Sequence, residues 1–305
     1  MSDVLRLGTR GSALARRQAD WVAGQLQEAG IEVEMVLITT QGDERGEPLG
    51  RIGGQGVFTK EIQRALLDHR VDLAVHSLKD LPTEPVNGLE VAAVPRRESA
   101  ADVLVSRESL RFDALADAAV IGTGSPRRQA QLLHARGDLN VRDIRGNVET
   151  RLRRLGEGSY DAIVLAEAGL KRLGLTQRVT EILPPSWMLP AIGQGALGLE
   201  IRAADRVTGE RVACLDHAES RVSVMAERVL LATLQGGCLA PIGAWARVRA
   251  GELHLEAAVL DPRGETRLFA YVFGPPEQAE ELGREAARRL LSQGARDLIA
   301  AARKT

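Results

Sequence analysis

Aromatic residues are scarce in this sequence, at 3% of its 305 residues. That is too few for the rows of rings on which single-stranded nucleic-acid binders stack successive bases. The formal net charge is −1, so no overall field attracts DNA or an anionic membrane. We therefore expect neither nucleic acid nor a membrane among the partners of this chain.

Cysteine and long apolar runs are also lacking. The two cysteines, Cys214 and Cys238, cannot form a disulfide framework, and their spacing fits no zinc site, so we predict no metal. The first residues, MSDVLRLGTR, lack the apolar segment of a signal peptide, and no stretch is long enough to span a bilayer. These features predict a cytoplasmic protein, and a monomer is the default oligomeric state.

The residues that are present form an ordinary globular composition with one bias. Hydrophobic residues make up 44% and charged residues 27%, and 36 of the 40 cationic residues are arginine. A genome rich in arginine codons explains most of that excess. Guanidinium holds a carboxylate as a planar fork, whereas ammonium is a mobile point charge. In a sequence so rich in arginine, each lysine therefore suggests a position that needs an ammonium group. The lysines are Lys60, Lys79, Lys171 and Lys304.

Short apolar runs alternate with amphipathic segments over the first two thirds of the chain, which is typical of parallel, doubly wound α/β sheets. We predict strands at 4–7, 31–39, 72–76, 119–122, 140–144, 162–166 and 196–201. We predict helices after the N-cap Ser12, with Trp21, Val22 and Leu26 on related faces, and at 57–68, 125–135 and 148–155. The glycine-rich segment 42–56 reads as a mobile loop.

The last third predicts a different architecture. A long helix at 218–234 precedes strands at 242–248, 254–260 and 266–272, and helices follow from about 276 to 302, which indicates a small α+β domain with an antiparallel sheet. The strand at 196–201 has no new helix of its own, so we expect it to rejoin the first sheet. The predicted domains are 1–95 with 196–214, 96–195, and 215–305, with the crossing segments 96–101 and 190–196 acting as a hinge.

Arginines recur in the turns that lead from predicted strands into helices. Helix N-termini attract anions, and in open parallel sheets these turns lie at the carboxyl ends of the strands, where ligands bind. For a single arginine, solvated surface charge is the simpler interpretation. Its recurrence in three such turns favours an anion site, and the arginines concerned are Arg10, Arg127, Arg128, Arg145 and Arg151.

One of these turns imitates a dinucleotide-binding fingerprint. Gly122-Thr123-Gly124 precedes a helix, and Asp143 lies near the end of the next strand. Arg127 occupies the third glycine position, where a large cation would obstruct close packing of helix on strand. We therefore do not expect NAD or FAD, although a phosphorylated ligand remains open.

Asp80 is the acid of the predicted site. It follows a buried strand in the segment 75–82 (VHSLKDLP), among cationic neighbours that keep a carboxylate ionised. Such a carboxylate can stabilise a transient cation or move a proton, and it can equally be an ion-pair strut. Nearby His76 is expected to be a satisfied core residue.

The two cysteines differ in their surroundings. Cys214 lies in an apolar run and is expected to be a small buried hydrophobe. Cys238 follows Gly236 and Gly237 in a loop after a helix, where the backbone is exposed and a bulky adduct can approach. A functional and a structural role for Cys238 are evenly balanced on this evidence, although no His–Asp pair nearby supports a protease-like nucleophile.

These segments together resemble the porphobilinogen deaminase family. The motifs are TRGSALA at 9–15, GGQGVFTKE at 53–61, DLAVHSLKDLP at 72–82, GTGSPRRQ at 122–129, RGNVETRL at 145–152, DAIVLAEAGLKRLG at 161–174, LPAIGQGALGLE at 189–200 and GGCLAPIG at 236–243. The resemblance implies an α/β fold with two periplasmic-binding-protein-like doubly wound lobes and a small α+β C-terminal domain. It also implies hydroxymethylbilane synthase activity: four porphobilinogen units are joined head to tail with loss of ammonia, and linear hydroxymethylbilane is then released by hydrolysis.

The resemblance also implies site residues and a cofactor. A dipyrromethane attached to Cys238 by a thioether would prime the reaction, and Asp80 would be the catalytic carboxylate. Because each pyrrole carries an acetate and a propionate, arginine forks suit the growing chain. The implied cofactor-binding residues, besides Cys238, are Lys79, Thr123, Ser125, Arg127, Arg128, Arg145 and Gly146. The implied substrate-binding residues are Arg10, Ser12, Arg145, Arg151, Arg172 and Gln194.

One departure from the family pattern and two rival functions remain. The loop that usually reads glycine-glycine-lysine-glycine and covers the site has Gln55 in place of the lysine, while Lys60 is kept, so only the first basic residue of the loop is missing. The rivals are a binding module that captures a solute without chemistry, and a transferase that holds a phosphorylated ligand on its glycine turns.

Overall fold

The computed structural model describes residues 4–39, 59–236 and 240–303. In chain order the strands are β1 (Leu5–Thr9), β2 (Val33–Leu37), β3 (Leu73–Ser77), β4 (Leu89–Ala93), β5 (Asp102–Ser106), β6 (Val120–Gly122), β7 (Asn140–Arg142), β8 (Ala162–Ala166), β9 (Glu181–Ile182), β10 (Leu197–Arg202), β11 (Ile242–Arg249), β12 (Glu252–Leu260) and β13 (Arg267–Gly274). The helices are α1 (Ala13–Glu28), α2 (Lys60–Leu67), α3 (Pro126–Ala135), α4 (Val148–Gly156), α5 (Glu167–Arg172), α6 (Arg206–Val212), α7 (Ala218–Leu234), α8 (Ala279–Ser292) and α9 (Ala295–Ala302).

The chain forms two compact units. Unit 1 comprises Met1–Glu98 and Ala196–Arg221, and unit 2 comprises Ser99–Gly195 and Val222–Thr305. None of the helices in the described part of the chain has both the length and the apolar character to span a bilayer.

Unit 1 is built on a five-stranded mixed sheet in the order β2-β1-β3-β10-β4. The strands β2, β1 and β3 are parallel, and β10 runs antiparallel to both β3 and β4. Helices cover both faces, because α1 and α6 pack on one cluster of buried side chains and α2 packs on another. Ser12 starts α1 by accepting a hydrogen bond from the Ala15 backbone amide at 3.3 Å.

Unit 2 repeats this plan in a second five-stranded sheet with the order β7-β6-β8-β5-β9. The strands β7, β6 and β8 are parallel, and β5 runs antiparallel to β8 and β9. Here α3 packs on one face of the sheet, while α4 and α5 pack on the other. Helix α3 begins with Ser125 as N-cap and Pro126 in its first turn, where a missing backbone N–H costs nothing.

A smaller antiparallel sheet, β11-β12-β13, also belongs to unit 2. One of its faces is covered by α7, α8 and α9 around a core of small and aliphatic residues. The β11–β12 hairpin turns at Ala250 and Gly251, both with positive φ, as a two-residue hairpin turn requires. The β12–β13 turn approaches α3 so closely that a Cβ on Gly264 would lie 2.5 Å from the Ala130 carbonyl oxygen.

The structure confirms the predicted fold class of two doubly wound α/β lobes and a small α+β C-terminal part. The strand predicted at 196–201 is observed as β10, and it rejoins the first sheet as expected, between β3 and β4. The parallel strands that were expected are present, but each sheet is mixed, because one strand in each, β10 in unit 1 and β5 in unit 2, runs antiparallel to its neighbours. The prediction missed β4, β5, β9, α5 and α6. Trp21 is 44% exposed while Val22 and Leu26 are buried, so it does not share their face.

Candidate active site

In unit 1, the predicted site residues lie in two turns at one edge of the sheet. Because β1 and β3 are parallel neighbours, the turn with Arg10 and Ser12 and the turn with Lys79 and Asp80 both follow carboxyl ends of strands. Lys79 and Asp80 lie in a single 3-10 turn, Leu78–Asp80, and both are exposed. The arrangement presents a carboxylate and an ammonium to solvent from adjacent positions.

Gly198, which the sequence did not mark as important, allows this turn to pack closely against β10. Leu78 is buried, and a Cβ on Gly198 of β10 would lie 2.6 Å from its side chain. The Leu78 amide donates to the Ala196 carbonyl at 3.1 Å. From the helix side, the Gln18 amide donates to Ser77 Oγ at 2.8 Å. The turn that carries Asp80 is therefore held from both β10 and α1.

In unit 2, the turns after β6 and β7 meet at the carboxyl ends of the parallel strands. Thr123 is buried, and its amide donates to the Arg142 carbonyl at 2.9 Å. A Cβ on Gly124 would lie 2.8 Å from Asp143 Oδ1, so only glycine allows this approach. Ser125 caps α3 by accepting from the Arg128 amide at 3.4 Å.

Arg145 and Arg151 lie around the turn that leads into α4. Arg145 Nε contacts Asp143 Oδ2 at 2.8 Å, and Arg151 Nε donates to the Gly146 carbonyl at 2.8 Å. Gly146 has φ +106°, which favours glycine. Burial, together with the charges of Arg128 and Arg145, lowers the pKa of Arg151 to about 10, against a smaller opposing effect of Asp143. This part of unit 2 therefore holds more positive charge than its own acids neutralise.

The centre of the unit 2 set is Asp102, which the sequence analysis missed. Its side chain is fully buried. Arg127 Nη2 lies 2.7 Å from Oδ2, and Arg128 Nη2 lies 2.7 Å from Oδ1. The Gln194 amide donates to Oδ1 at 2.8 Å and to the Ala100 carbonyl at 2.7 Å. Three predicted site residues thus converge on one carboxylate.

The topology explains how Asp102 arrives there. It is the first residue of β5, which runs antiparallel to β8 and pairs Asp102 with Ala166 at the end of β8. An antiparallel strand brings its first residue to the edge where parallel strands end. The apolar run Val103–Val105 was a signal for this strand, but the aspartate before it carried no local sign of its role.

Burial alone would raise the pKa of Asp102, but the charges of Arg127 and Arg128 hold that pKa well below its usual range. Burial also lowers the pKa of Arg127, which the attraction of Asp102 only partly offsets. Two buried guanidinium groups on one carboxylate leave one positive charge uncompensated. Together with Arg145 and Arg151, this donor set suits a ligand with several carboxylates, so the residues present fit an anionic dipyrromethane.

The structure also describes two other predicted site residues, Arg172 of unit 2 and Lys60 of unit 1. Arg172 Nη2 donates to the Gly195 carbonyl at 2.8 Å, next to Gln194. Lys60 is the first residue of α2 and is exposed. Gln55 and Cys238 lie outside the described residues, as does the loop 42–56.

Two residues set aside by the sequence analysis can be placed. His76 is buried and its Nε2 bonds to Glu200 Oε2 at 2.9 Å, so it is the satisfied core residue that was expected. The expectation that Cys214 is buried is wrong. It is an exposed free thiol, because the turn after α6 directs it to solvent, where Sγ contacts the Arg211 carbonyl at 3.2 Å.

The geometry defines an α/β protein with arginine-rich strand ends that suit a polycarboxylate. Comparison with known proteins identifies the group to which it belongs. Residues 5–210 match the family described as porphobilinogen deaminase, dipyromethane cofactor binding domain, and residues 222–292 match the porphobilinogen deaminase C-terminal domain. The chain is 48% identical to porphobilinogen deaminase of Pelobacter propionicus, over 97% of this chain and 96% of that protein. It is 50% identical to that of Desulforudis audaxviator, over 97% of both.

Among solved structures, the methionine-binding protein MetQ is similar over 70% of this chain and 89% of that one, with a TM-score of 0.45 and 11% identity. The sequence matches show that the chain belongs to the porphobilinogen deaminase family. Its activity is that of a hydroxymethylbilane synthase, a transferase that joins four porphobilinogen molecules on a dipyrromethane primer with loss of ammonia and then releases linear hydroxymethylbilane.

Proposed function

We propose a division of labour between two sets of residues in this reaction. Unit 1 supplies the catalytic carboxylate, Asp80, and the binding residues Arg10, Ser12 and Lys79, whereas the other binding residues, including every arginine of the set except Arg10, belong to unit 2. The observation that carries the proposal is the uncompensated positive charge at the strand ends of unit 2, where Arg127 and Arg128 share Asp102 and the pKa of Arg151 is lowered. A site built this way is stabilised by an anion.

The cofactor, when bound, supplies the pyrrole carbon to which the first substrate unit is joined. We propose Cys238 as its point of attachment, on the family resemblance. The residues proposed to hold it are Lys79, Thr123, Ser125, Arg127, Arg128, Arg145 and Gly146. Arg127 and Arg128 are buried, and several of their N–H groups already donate to the Leu189 carbonyl, the Val164 carbonyl and Asp102. Few of their N–H groups are therefore left to bind the cofactor.

Substrate carboxylates are assigned to Arg10, Ser12, Arg145, Arg151, Arg172 and Gln194. Arg145 and Arg151 are the best supported of these, because both are partly open and, within the described part of the chain, only their Nε atoms contact acceptors. Gln194 is buried with its amide on Asp102, which favours an indirect contribution. On the family resemblance, Lys60 and Gln55 are assigned to the loop that is expected to cover the site, and Gln55 is expected to supply a hydrogen bond where the usual lysine would form an ion pair.

Asp80 is proposed to act on the reacting nitrogen and carbon of the substrate. Its carboxyl group gives a proton to the leaving amine, its carboxylate stabilises the cation that loss of ammonia leaves, and it then accepts the proton released from the ring carbon. The exposed position of Asp80 allows direct contact with substrate. An asparagine would keep the shape of the side chain and lose both the charge and the proton transfer.

The intact mass of the purified protein tests the proposed attachment. We expect a mass above the sequence value by one dipyrromethane, and a Cys238→Ser variant should show the bare sequence mass. An active wild-type protein that shows only the bare sequence mass would rule out the covalent primer.

Turnover of porphobilinogen by an Asp80→Asn variant tests the catalytic assignment. We expect full cofactor loading by mass and a fall in kcat of about 100-fold or more, the range that general acid–base groups contribute. Asp68→Asn is the matched control, since Asp68 is an exposed acid of unit 1 whose pair with Arg64 lies at the surface. Near-normal ammonia release by Asp80→Asn would refute the role.

The location, oligomeric state, partners and domain bounds complete the proposal. We propose that the enzyme is a cytoplasmic monomer that takes porphobilinogen as its partner and binds no nucleic acid. The domains are proposed to be 1–95 with 196–214, 96–195, and 215–305. The repeated sheet order in the two units supports the first two domains, and the separate sheet β11-β12-β13 supports the third. Sedimentation at micromolar concentration measures the oligomeric state.

A further inference from the structure

Asp102 has a function in the cluster that neither the family motifs nor its place on β5 assigns. We propose that Asp102 is a positioning residue for the cofactor: it neutralises one of two buried guanidinium charges and orients both groups, so that one positive charge remains for the cofactor carboxylates. This inference rests on the proposed role of Arg127 and Arg128 in holding the cofactor.

The geometry shows how one carboxylate orients two arginines. Each oxygen takes a different guanidinium, Oδ2 that of Arg127 at 2.7 Å and Oδ1 that of Arg128 at 2.7 Å through Nη2 and 3.1 Å through Nε. Each guanidinium has a second anchor on the backbone, the Leu189 carbonyl for Arg127 and the Val164 carbonyl for Arg128. With both ends tied, neither group can rotate without breaking a buried hydrogen bond.

The charge count supplies the second argument. Two guanidinium charges and one carboxylate charge are enclosed together, and the side chains are at most 8% exposed. A buried charge without a counter-ion is unfavourable, so this cluster is less stable empty than with an anion nearby. Arg127 Nε is also buried without a hydrogen-bond acceptor among the described residues, which indicates a donor left for a ligand.

A purely structural brace makes a different prediction from a positioning residue. If Asp102 only supports the fold, removing its charge destabilises the chain equally with and without cofactor. If Asp102 and the cofactor together neutralise the arginines, the loss is larger when the cofactor is absent, because no other carboxylate of the described residues then pairs with Arg127 or Arg128.

The experiment is a thermal unfolding cycle with four proteins. The loaded wild-type chain and the cofactor-free Cys238→Ser chain are each compared with and without Asp102→Asn. We expect Asp102→Asn to lower the midpoint by at least about 4 °C more in the cofactor-free pair than in the loaded pair. Equal losses in the two pairs would overturn the inference and leave Asp102 as a brace.

A second variant keeps the test decisive if Asp102→Asn does not fold. Asp102→Glu retains the charge and disturbs the packing, so its loss should be the same in both pairs, and a larger loss without cofactor would contradict the charge argument. The intact mass distinguishes failure of the proposed cofactor attachment from failure of the inference about Asp102. A wild-type chain without added mass means that the proposed attachment fails, whereas a loaded chain with equal Asp102→Asn losses means that only this inference fails.

Discussion

At the scale of single residues, the arginines of the site differ in how fully they are neutralised. Arg127 and Arg128 share a buried carboxylate, whereas the partner of Arg151 among the described residues is a carbonyl, reached through Nε, and like charges lie nearby. A leucine at 127 or 128 would lose a cofactor contact and would also weaken the neutralisation of Asp102. Poor cofactor loading by such a variant would therefore mix a folding defect with a binding defect.

A substitution of Arg151 tests the excess of positive charge at the unit 2 strand ends more directly than one of Arg127 or Arg128. Its pKa in the fold is about 10, well below the ordinary value for arginine, so its charged form is less favourable in the folded than in the unfolded chain. That penalty is present at neutral pH and is relieved only as pH rises through about 10. Arg151→Gln in the cofactor-free Cys238→Ser chain should therefore raise the thermal midpoint, by about 1–4 °C.

The matched control for Arg151→Gln is Arg153→Gln on the same helix. Arg153 is exposed and pairs with Glu157 one turn later, so its removal should change the midpoint by less than about 2 °C. The same Arg151→Gln change should weaken substrate binding in the loaded enzyme. A lower midpoint for Arg151→Gln than for the control would show that the site carries no charge strain.

At the scale of elements, α3 is the helix on which the unit 2 site depends. Its first turn carries Arg127 and Arg128, and its later turns rest on the β12–β13 turn. There His134 Nδ1 bonds to the Gly264 carbonyl at 2.7 Å. The small C-terminal sheet thereby supports the helix that presents the arginines.

Gly264→Ala tests this support. The residue has φ +75°, and an added Cβ would lie 2.5 Å from the backbone of α3, so both strain and steric clash oppose it. Gly251→Ala is the control, with φ +83° and nothing within 4 Å, and should cost only about 1–2 kcal/mol of left-handed strain. We expect Gly264→Ala to lower the thermal midpoint at least twice as much and to reduce cofactor loading measured by mass. Equal effects of the two changes would remove the support argument.

At the scale of the whole molecule, the chain leaves unit 1 after Glu98 and returns at Ala196. The returning strand β10 is internal to its sheet, and Leu197, Leu199 and Ile201 are buried. Within the described residues β4 pairs only with β10. Unit 1 therefore depends on a segment about a hundred residues further along the chain.

A fragment experiment measures that dependence. A peptide of residues 1–98 should be unfolded by far-ultraviolet circular dichroism, because it lacks an internal strand and the burial of three large side chains, each worth about 1.5–3 kcal/mol. Addition of a 196–221 peptide should restore ordered structure, and the same peptide with Leu199→Asp should not. Cooperative unfolding of the 1–98 fragment alone would contradict this view of unit 1.

Local signals predicted much of this molecule because their causes are local. Ser12 and Ser125 cap their helices as expected, since a cap needs only a hydroxyl and an amide three residues later. The long motifs also indicated the family, and the resemblance to the family then implied which residues form the site. Periodicity missed the edge strand β9, which is only two residues long. It also missed β5, whose run begins with a charged residue.

The arginine-rich turns, the acid Asp80 and the return of β10 were thus determined by the sequence itself, through spacing, turn chemistry and long motifs. The burial of Asp102 beneath Arg127 and Arg128 was decided only by the tertiary structure. A carboxylate at the start of an apolar run is tolerated inside a protein only when counter-charges reach it, and those come here from 25 and 26 residues away across the sheet. Such partners depend on strand direction and order, which the local pattern of residues does not specify.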